Sequence, residues 1–259
     1  MSIEKLIGIV REAAELMQND TFEITQKGGY ANIVTSSDIA VQAFLKERLS
    51  QLLPGSGFLC EEEDVHQLKG EDTWIIDPID GTANYARGID QCGISVALKH
   101  QDEVVMGVVY LPRTGELFSA EKGRGACLNG RAIHVSGRPF ADAVMCTALS
   151  VYHKEYTEVC SRVICDTFRQ CNDIRRFGSA ATELCYLAMG RAELYFEYLL
   201  SPWDYAAASL IVTEAGGCLS DLSGLEMPMT TPSGVLAANS RESLEKLQQI
   251  VRKHNSRKA

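Results

Sequence analysis

Residues 74–82 read Trp-Ile-Ile-Asp-Pro-Ile-Asp-Gly-Thr, and this stretch is decisive for both fold and site. The apolar residues 74–76 predict a buried strand, and Asp77 is expected at its end. Pro78 is predicted to end that strand, because proline has no N–H to donate to a sheet ladder. Residues 80–82 then predict a turn into a helix, since aspartate and glycine favour turns and helix starts.

Asp77 and Asp80 offer two carboxylates three residues apart at this strand-to-helix turn. Carboxylate and backbone carbonyl oxygens are the ligands that hard cations prefer, so the pair can bind a metal with help from the carbonyl of Ile79. The amides of Gly81 and Thr82 lie where a helix N-terminus accepts a phosphate. For an isolated motif of this kind, a helix cap and a turn glycine are the better explanation. The rest of the chain decides between the two.

Two helices and a mostly antiparallel sheet are predicted for the first half of the chain. Apolar residues recur at helical spacing over residues 3–17, and a second helix begins near residues 35–38 and ends before Pro54. The third and fourth strands are expected to pair through a short turn at residues 100–102. The predicted strands lie at residues 57–60, 74–76, 94–98, 104–110 and 117–120.

Strands and helices alternate from about residue 140 onwards, which is typical of α/β layering. The predicted strands lie at residues 144–149, 173–177, 193–197, 218–222 and 235–238. The predicted helices lie at residues 156–168, 179–189, 203–215 and 241–254. No linker rich in glycine, serine or proline separates the halves, so we predict a single domain over residues 1–259 with subdomains at about 1–140 and 141–259.

The composition is that of an ordinary globular protein, with 46% hydrophobic and 23% charged residues among 259. The 25 Lys+Arg against 34 Asp+Glu give a formal charge of -9. This charge disfavours nucleic acid and anionic membrane surfaces as partners. A phosphate substrate would therefore need local positive charge, such as that of a metal ion.

No secretion signal or membrane anchor is expected. Residues 1–17 carry acidic side chains within their apolar pattern, and no apolar run approaches the roughly 20 residues of a membrane span. The nine cysteines are an odd number without a C-x-x-C pair, which indicates free thiols in a reduced compartment rather than disulfides or zinc. We therefore expect a cytoplasmic protein.

Four consecutive acidic residues, 61–64, directly follow a predicted strand. A solvated acidic loop explains the last two of them. Glu61 and Glu62 stand nearest the strand end, and ligands collect at the carboxyl ends of strands in open α/β sheets. One of these two side chains is therefore expected to converge with Asp77 and Asp80.

Asp204 occupies the first turn of a predicted helix in Ser-Pro-Trp-Asp-Tyr-Ala-Ala-Ala, residues 201–208. A favourable interaction with the helix dipole is one explanation. Because the helix is apolar enough to be buried, an unpaired aspartate there would be unfavourable, which favours a bound cation.

The residues that precede the second helix, Thr35 to Asp38, fit a capping box with aspartate in place of the usual glutamate. Capping and a functional role explain this pattern equally well. Asp38 can also accept a hydrogen bond from Thr82.

These segments, in this order and at this spacing, resemble the inositol monophosphatase family of magnesium-dependent, lithium-sensitive sugar phosphatases. The resemblance covers essentially the whole chain and is carried by the motifs at residues 74–82 and 203–208. It implies a layered α-β-α-β-α sandwich of α+β or α/β class, with two fused subdomains. It also implies a homodimer that acts on a small phosphorylated polyol or sugar, with no nucleic acid or membrane partner.

The resemblance further implies a role for each site residue. The metal ligands, for two or three Mg²⁺ ions, are Glu61, Asp77, the carbonyl of Ile79, Asp80 and Asp204. The catalytic residues are Thr82, Glu61 and Asp38, and the flexible-loop lysine is Lys27. The substrate contacts are Asp80, Gly81, Thr82, Gly178, Ser179, Ala180, Glu197 and Asp204. The family usually has glycine before the metal-binding glutamate, where this chain has Cys60, but this difference removes no ligand.

On this interpretation the chain hydrolyses myo-inositol monophosphate with a metal-activated water. A phosphatase for fructose 1,6-bisphosphate or histidinol phosphate, and a non-catalytic phosphate-binding scaffold, stay open as alternatives. A covalent aspartyl phosphatase is disfavoured, because its two aspartates lie two residues apart whereas Asp77 and Asp80 lie three apart.

Glu197 favours the polyol monophosphate, because its carboxylate can accept hydrogen bonds from ring hydroxyls. Without the family resemblance, an exposed acid at a strand end would be the better explanation of this residue. A bisphosphate would need a lysine or arginine nearby, and residues 199–202 contain none. The candidate donors for a second phosphate are Arg175, Arg176 and Arg191.

Overall fold

The structure is a computed structural model that describes residues 2–18, 22–26, 33–63, 68 and 70–255. Within these residues the α-helices are α1 (Ile3–Glu15), α2 (Ser36–Leu52), α3 (Thr82–Tyr85), α4 (Thr157–Phe168), α5 (Ala180–Ala188), α6 (Pro202–Glu214) and α7 (Arg241–Asn255). Short 3-10 helices lie at Leu16–Gln18, Phe140–Asp142 and Lys154–Tyr156.

The strands form two larger sheets and one short hairpin. In chain order they are β1 (Ile24–Gln26), β2 (Ile33–Thr35), β3 (Gly57–Cys60), β4 (Asp72–Asp80), β5 (Gly93–His100), β6 (Glu103–Leu111), β7 (Glu116–Glu121), β8 (Ala126–Leu128), β9 (Arg131–Ile133), β10 (Val144–Thr147), β11 (Asp173–Arg175), β12 (Leu194–Leu200), β13 (Cys218–Ser220) and β14 (Ser233–Ala238). One sheet has the order β3-β4-β5-β6-β7-β8-β9, the other β11-β10-β12-β14-β13, and β1 pairs with β2.

Helices and sheets stack in five layers. α1 and α2 pack on one face of the seven-stranded sheet, and α5 and α6 pack on its other face. The five-stranded sheet lies against the far side of α5 and α6, and its outer face carries α7, which packs on α4. This α-β-α-β-α order confirms the predicted fold class. The division into one domain with subdomains at about 1–140 and 141–259 stays a prediction.

The central layer is buried on both sides, which explains why α6 is apolar around its whole circumference. Residues 206–208, three alanines in succession, are fully buried in α6. A Cβ added at Gly107 of β6 would lie 2.6 Å from the backbone oxygen of Ala207. Small residues on both elements therefore allow the helix backbone to lie directly on the sheet, and this packing fixes the start of α6 relative to the end of β4.

The prediction that Pro78 ends its strand was wrong, because β4 continues to Asp80. In the pairing with β5, Asp77 lies opposite Ser95 and Asp80 lies opposite Gly93, so β4 carries one extra residue at this point. Such a bulge leaves a residue without a ladder partner, which is where a sheet tolerates proline. The bulge redirects the backbone between the two aspartates.

Other boundaries also differ from the predictions. The hairpins β1–β2 and β8–β9 were not predicted, because their three-residue strands are too short to show a periodic apolar pattern. β5 extends through His100, so its turn is confined to residues 101–102. β12 continues to Leu200 instead of ending at residue 197.

None of the helices in the described ranges is both long and apolar enough to cross a membrane. All nine cysteines are free thiols. The buried ones are Cys60, Cys92, Cys146, Cys160 and Cys185. They pack as small apolar side chains, in agreement with the prediction of free thiols.

Candidate active site

Two carboxylates lie at the end of β4, one on each side of the bulge. β3 runs parallel to β4 with Cys60 opposite Ile76, so the residue that follows β3 lies at the same edge of the sheet. That residue is Glu61, whose backbone N–H donates to the carbonyl of Ile76 over 3.2 Å. The negative charge of Glu61 raises the pKa of Asp77. The structure thus places Glu61 beside Asp77, whereas the sequence pattern had left Glu61 and Glu62 open and only the family resemblance had named Glu61.

The start of α6 adds a third carboxylate to this edge. Oxygen atoms of Asp77, Asp80 and Asp204 all lie within 4.8 Å of one another. Asp204 also accepts a hydrogen bond of 2.7 Å from the backbone N–H of Ser201, so it caps the start of α6 as well. The side chain therefore stabilises the start of its helix with one oxygen and also lies close to the other aspartates, while its role in binding a cation stays a prediction.

Burial raises the pKa of all three aspartates, and neighbouring carboxylates raise the pKa of Asp77 and Asp204 further. Burial is the main cause of the raised pKa of Asp77, followed by the charges of Glu61, Asp80 and Asp204. Burial likewise raises the pKa of Asp204. Burial raises the pKa of Asp80 to about 6, although hydrogen bonds to its carboxylate act in the opposite direction. A positive charge at the centre of the cluster would relieve this repulsion.

The donor set fits a hard divalent cation. The carboxylates are all oxygen ligands, they converge from two elements, and the carbonyl of Ile79 and the side chain of Glu61 line the same cavity. Oxygen ligands of this kind select Mg²⁺ or a similar ion over zinc, which favours histidine and cysteine. The residues present therefore fit the predicted magnesium site, while the assignment of each residue as a ligand stays a prediction.

Thr82 and Asp38 come from different helices and are joined by a hydrogen bond. The hydroxyl of Thr82 lies 3.2 Å from Oδ1 of Asp38 and 3.0 Å from the carbonyl oxygen of Ile79. Asp38 is fully buried, and its Oδ2 accepts the backbone N–H of Thr35 over 2.8 Å. The capping box and the contact with Thr82 are therefore both present. Burial raises the pKa of Asp38, and the hydrogen bonds from Thr35 and Thr82 lower it again.

The N-cap residue and the first turn of α5 hold Asp80 in place. The hydroxyl of Ser179 donates to Oδ2 of Asp80 over 2.6 Å, and the backbone N–H of Ala181 donates to the same oxygen over 2.7 Å. The N–H of Ala180 lies 3.3 Å from Oδ1. The sequence predicted substrate contacts for residues 178–180, and it missed this role in holding Asp80.

Two glycines in the left-handed region allow the turns after β4 and before α5 to touch. Gly81 has a φ of 87° and Gly178 a φ of 85°, a conformation that side chains with a Cβ rarely adopt. A Cβ added at Gly81 would lie 3.1 Å from the Cβ of Ser179 and 3.3 Å from the backbone oxygen of Gly178. The close approach of these turns positions Ser179 on Asp80.

Glu197 is buried, with only 6% of its surface exposed, so the alternative of an exposed acid at a strand end was wrong. It lies within β12, at a register shift against β14, and lines the same cavity as Asp204. The hydroxyl of Tyr195 donates to its Oε2 over 2.8 Å. Burial raises the pKa of Glu197 to about 7, and the hydrogen bond from Tyr195 acts in the opposite direction.

These side chains surround one cavity of about 830 Å³. The cavity brings together every predicted site residue that the structure describes, apart from Asp38, which lies behind Thr82. Lys27 lies outside the described residues. The structure also places cationic and aromatic side chains on the cavity wall that the sequence reasoning missed or left open, and these are Arg87, Tyr152, His153, Lys154, Arg176 and Trp203.

The three arginines considered for a second phosphate have different positions. Arg176 lines the cavity, and its positive charge lowers the pKa of Glu197. Arg175 forms an ion pair with Asp173, and Arg191 forms one with Glu116 at 2.6 Å. A sequence signal for Arg176 existed, because it lies two residues before Gly178, where the segment predicted to contact substrate begins.

In a comparison with known protein families, residues 2–256 match the sequence model of the inositol monophosphatase family. The Nus factor SuhB of Vibrio cholerae is 35% identical to this chain over 248 residues, 94% of this chain and 91% of the relative. The inositol-1-monophosphatase of Mesorhizobium japonicum is 36% identical over 215 residues, 82% of this chain and 80% of the relative.

The fold of this chain is also similar to solved structures of related proteins. The extragenic suppressor protein suhB of Bartonella henselae has a TM-score of 0.89 at 31% identity, with 97% of this chain and 98% of that chain covered. An IMPase of Thermotoga maritima has a TM-score of 0.87 at 30% identity, with 98% of both chains covered.

Proposed function

Because the chain belongs to the inositol monophosphatase family, a family of metal-dependent phosphatases, we propose that it hydrolyses myo-inositol monophosphate to myo-inositol and phosphate. The observation that carries this proposal is the convergence of Asp77, Asp80 and Asp204 within 4.8 Å at the floor of a cavity large enough for a sugar phosphate. A buried acidic floor repels phosphate unless cations are bound there, so the geometry supports metal-dependent binding of an anion.

Asp77, Asp80 and Asp204 would hold two or three Mg²⁺ ions together with Glu61 and the carbonyl of Ile79. When bound, magnesium supplies positive charge for the phosphate oxygens and the leaving oxygen and lowers the pKa of a water. The backbone N–H groups of residues 81–82 lie at the cavity wall, where they can donate to the phosphate.

Thr82 orients the attacking water in this proposal. Its hydroxyl has a single proton, which Asp38 or the carbonyl of Ile79 accepts, and this leaves an oxygen lone pair directed away from them. That lone pair can accept a hydrogen bond from the water, and a proton that moves from the water to Thr82 is balanced by transfer of the Thr82 hydroxyl proton to the carboxylate of Asp38. Glu61, which lines the same cavity, acts as the second acceptor for the water.

Glu197 recognises the leaving group. Its carboxylate accepts hydrogen bonds from ring hydroxyls while Tyr195 holds one of its oxygens over 2.8 Å. A buried acceptor of this kind favours a hydroxyl-rich leaving group, because a substrate without the hydroxyl leaves the acceptor unpaired.

We expect Glu197→Gln to lower kcat/KM for inositol 1-phosphate by about 10- to 100-fold, since hydrogen bonds to charged groups contribute about 1.5–3 kcal/mol. The pKa of Glu197 is raised to about 7, so the ionised form, the stronger acceptor, accumulates above that pH. The advantage of the wild type over the variant should therefore grow as the pH rises through 7. Steady-state kinetics from pH 6 to 9 measure both effects.

Deoxy analogues of inositol phosphate provide the control for this prediction. An analogue that lacks the recognised hydroxyl should be hydrolysed equally well by the wild type and Glu197→Gln. Equal kcat/KM of the two proteins on inositol 1-phosphate itself would contradict the assignment of Glu197.

The position of Arg176 makes fructose 1,6-bisphosphate the strongest rival substrate. We expect the wild type to prefer inositol 1-phosphate to fructose 1,6-bisphosphate and histidinol phosphate. Arg176→Gln should lower kcat/KM for the bisphosphate by about 10-fold or more, because the second phosphate loses its charged hydrogen bond. It should lower kcat/KM for inositol 1-phosphate by less than about 3-fold, because this substrate has no second phosphate. These ratios follow from kcat/KM values of the wild type and the variant, measured with Mg²⁺, with and without Li⁺, on a panel of phosphomonoesters.

Arg175→Gln is the matched control for Arg176→Gln. Arg175 is the neighbouring residue, it pairs with Asp173, and it does not line the cavity. Its replacement should leave the ratio between the two substrates unchanged. A wild type that prefers either rival would overturn the choice of inositol monophosphate.

A non-catalytic role is the alternative from another functional class. Several relatives at 35–36% identity are named Nus factor SuhB, which makes a second role as a partner of other macromolecules worth testing. All the predicted carboxylates are present, and those of Asp77, Asp80 and Asp204 converge, which supports catalysis. Magnesium-dependent phosphate release by the purified chain separates the two. The homodimer, the cytoplasmic location and the inhibition by lithium stay predictions.

A further inference from the structure

Glu183 is a buried carboxyl for which the proposed chemistry has no use. It lies in the first turn of α5, and only 1% of its surface is exposed. It borders the active-site cavity, and among the described residues its Oε2 has no hydrogen-bond partner. Buried polar atoms without a partner are rare, so the position of this side chain requires an explanation.

The other oxygen of Glu183 holds the loop that leads into α5. Its Oε1 accepts the backbone N–H of Phe177 over 2.6 Å and that of Gly178 over 2.9 Å. From the opposite side, the Nδ2 of Asn84 donates to the carbonyl oxygen of Phe177 over 2.6 Å. The loop is therefore fixed by side chains from two helices, α5 and α3.

This loop directly precedes the groups that bind Asp80. Ser179 and Ala181 donate to Oδ2 of Asp80 over 2.6 and 2.7 Å. Gly178, with a φ of 85°, sets the direction of the chain between the loop and these donors. Movement of the backbone at Gly178 would therefore shift the donors and rotate the carboxylate of Asp80.

We propose that Glu183 is a positioning residue for the metal site: by fixing the backbone of residues 177–178, it sets the orientation of the Asp80 carboxylate toward Asp77 and Asp204. The inference rests on the proposed function, in which Asp80 is a metal ligand. Glu183 itself touches neither metal nor substrate. It acts through Ser179 and Ala181.

The chemistry of the side chain agrees with this role. One oxygen must accept two backbone N–H groups, which carboxylate and amide oxygens can do and an apolar side chain cannot. Burial raises the pKa of Glu183 to about 8, which disfavours its ionised form, and the hydrogen bonds from Gly178 and Phe177 act in the opposite direction. Alanine would leave two N–H groups without their acceptor, whereas glutamine retains an acceptor at the same distance along the side chain.

The chain contains a matched control for this interaction. Glu214, at the end of α6, also accepts two backbone N–H groups, those of Gly123 and Gly125, each over 2.7 Å. It does not line the active-site cavity. Glu214→Ala therefore removes the same type of interaction without affecting the loop before α5.

The test is the affinity of the metal-free full chain for Mg²⁺, measured by isothermal titration calorimetry, together with the melting temperature and the kinetics. Glu183→Ala should raise the Kd for Mg²⁺ by about 10- to 100-fold, the usual effect of losing a group that orients a metal ligand. Glu183→Gln should restore the Kd to within about 3-fold of wild type, because the acceptor is retained. Glu214→Ala should lower the melting temperature while leaving the Kd unchanged.

Two outcomes would overturn the inference. The first is that Glu183→Ala binds Mg²⁺ with the same Kd as the wild type and Glu214→Ala. The second is that Glu183→Gln has a Kd for Mg²⁺ as high as that of Glu183→Ala. If Glu183→Ala does not fold, Asn84→Ala releases the same loop from its other side and should also weaken Mg²⁺ binding. The titration needs no substrate, so it tests this inference even if the wild-type chain has no phosphatase activity. In that case weakened Mg²⁺ binding by Glu183→Ala would support this inference, while the missing activity would refute the proposed function.

Discussion

Replacing Asp77 with asparagine is expected to lower kcat for inositol 1-phosphate by about 10³-fold or more at saturating Mg²⁺. Asp77 is 1% exposed and lies within 4.8 Å of the oxygens of Asp80 and Asp204. Its loss would change the position of the ions even when the site is filled, and such ions would stabilise the developing charge by several kcal/mol. In excess EDTA the variant should melt no lower than the wild type, because removal of one carboxylate relieves the repulsion in the empty cluster. Phosphate release and thermal unfolding measure the two effects.

Asp72→Asn is the control for this variant. Asp72 begins the same strand, β4, and pairs with His100 at 2.8 Å, far along the strand from the cavity. Its replacement should leave kcat unchanged. Near-wild-type turnover by Asp77→Asn would contradict the assignment of Asp77 as a metal ligand. So would inactivity that is explained by a loss of structure in EDTA.

Thr82→Ala is expected to lower kcat by about 10²- to 10⁴-fold, the usual range for losing a group that takes part in proton transfer. The hydroxyl of Thr82 lies 3.2 Å from Asp38 and 3.0 Å from the carbonyl of Ile79, and the variant removes this link together with the γ-methyl group. The affinity for Mg²⁺ should change little, since no proposed ligand is removed. Stopped assays of phosphate release and a Mg²⁺ titration provide the two measurements.

Thr82→Ser retains the hydroxyl and should keep most of the activity. Activity of Thr82→Ala equal to that of Thr82→Ser would show that the hydroxyl does not orient the water. A phosphothreonine at this position during turnover would show covalent attack instead and would contradict the role proposed here.

The proximity of Glu61 and Asp77 could be predicted because both follow apolar runs in the sequence. Glu61 and Asp77 each come directly after an apolar run, and the parallel pairing of β3 and β4 places both at one edge. Asp204 could be placed because an apolar helix with an acid in its first turn implies a buried start. The family resemblance then joined these segments, which local patterns alone cannot do.

The features that could not be predicted depend on contacts between distant segments. Pro78 was expected to end its strand, and only the pairing with β5 shows the bulge that accommodates it. The support of Asp80 by Ser179 and Ala181 joins residues about a hundred positions apart. Local periodicity contains no signal for such a contact.

The cavity wall was also beyond prediction from the sequence. Side chains such as Arg87 and Lys154 line the cavity from loops and short helical turns whose paths are fixed by packing. Glu197 was expected at a strand end, and its burial within β12 became evident only from the structure. Substrate choice depends on this wall, which is why it is the least predictable property of the site.

The most direct test of the account is phosphate release from myo-inositol 1-phosphate by the purified chain, measured with Mg²⁺, then with excess EDTA, then after Mg²⁺ is added back. We expect release that stops with EDTA and returns in full with Mg²⁺, because the carboxylates of Asp77, Asp80 and Asp204 repel the substrate until cations bind between them. Undiminished release in EDTA, or no release at any Mg²⁺ concentration, would contradict the account.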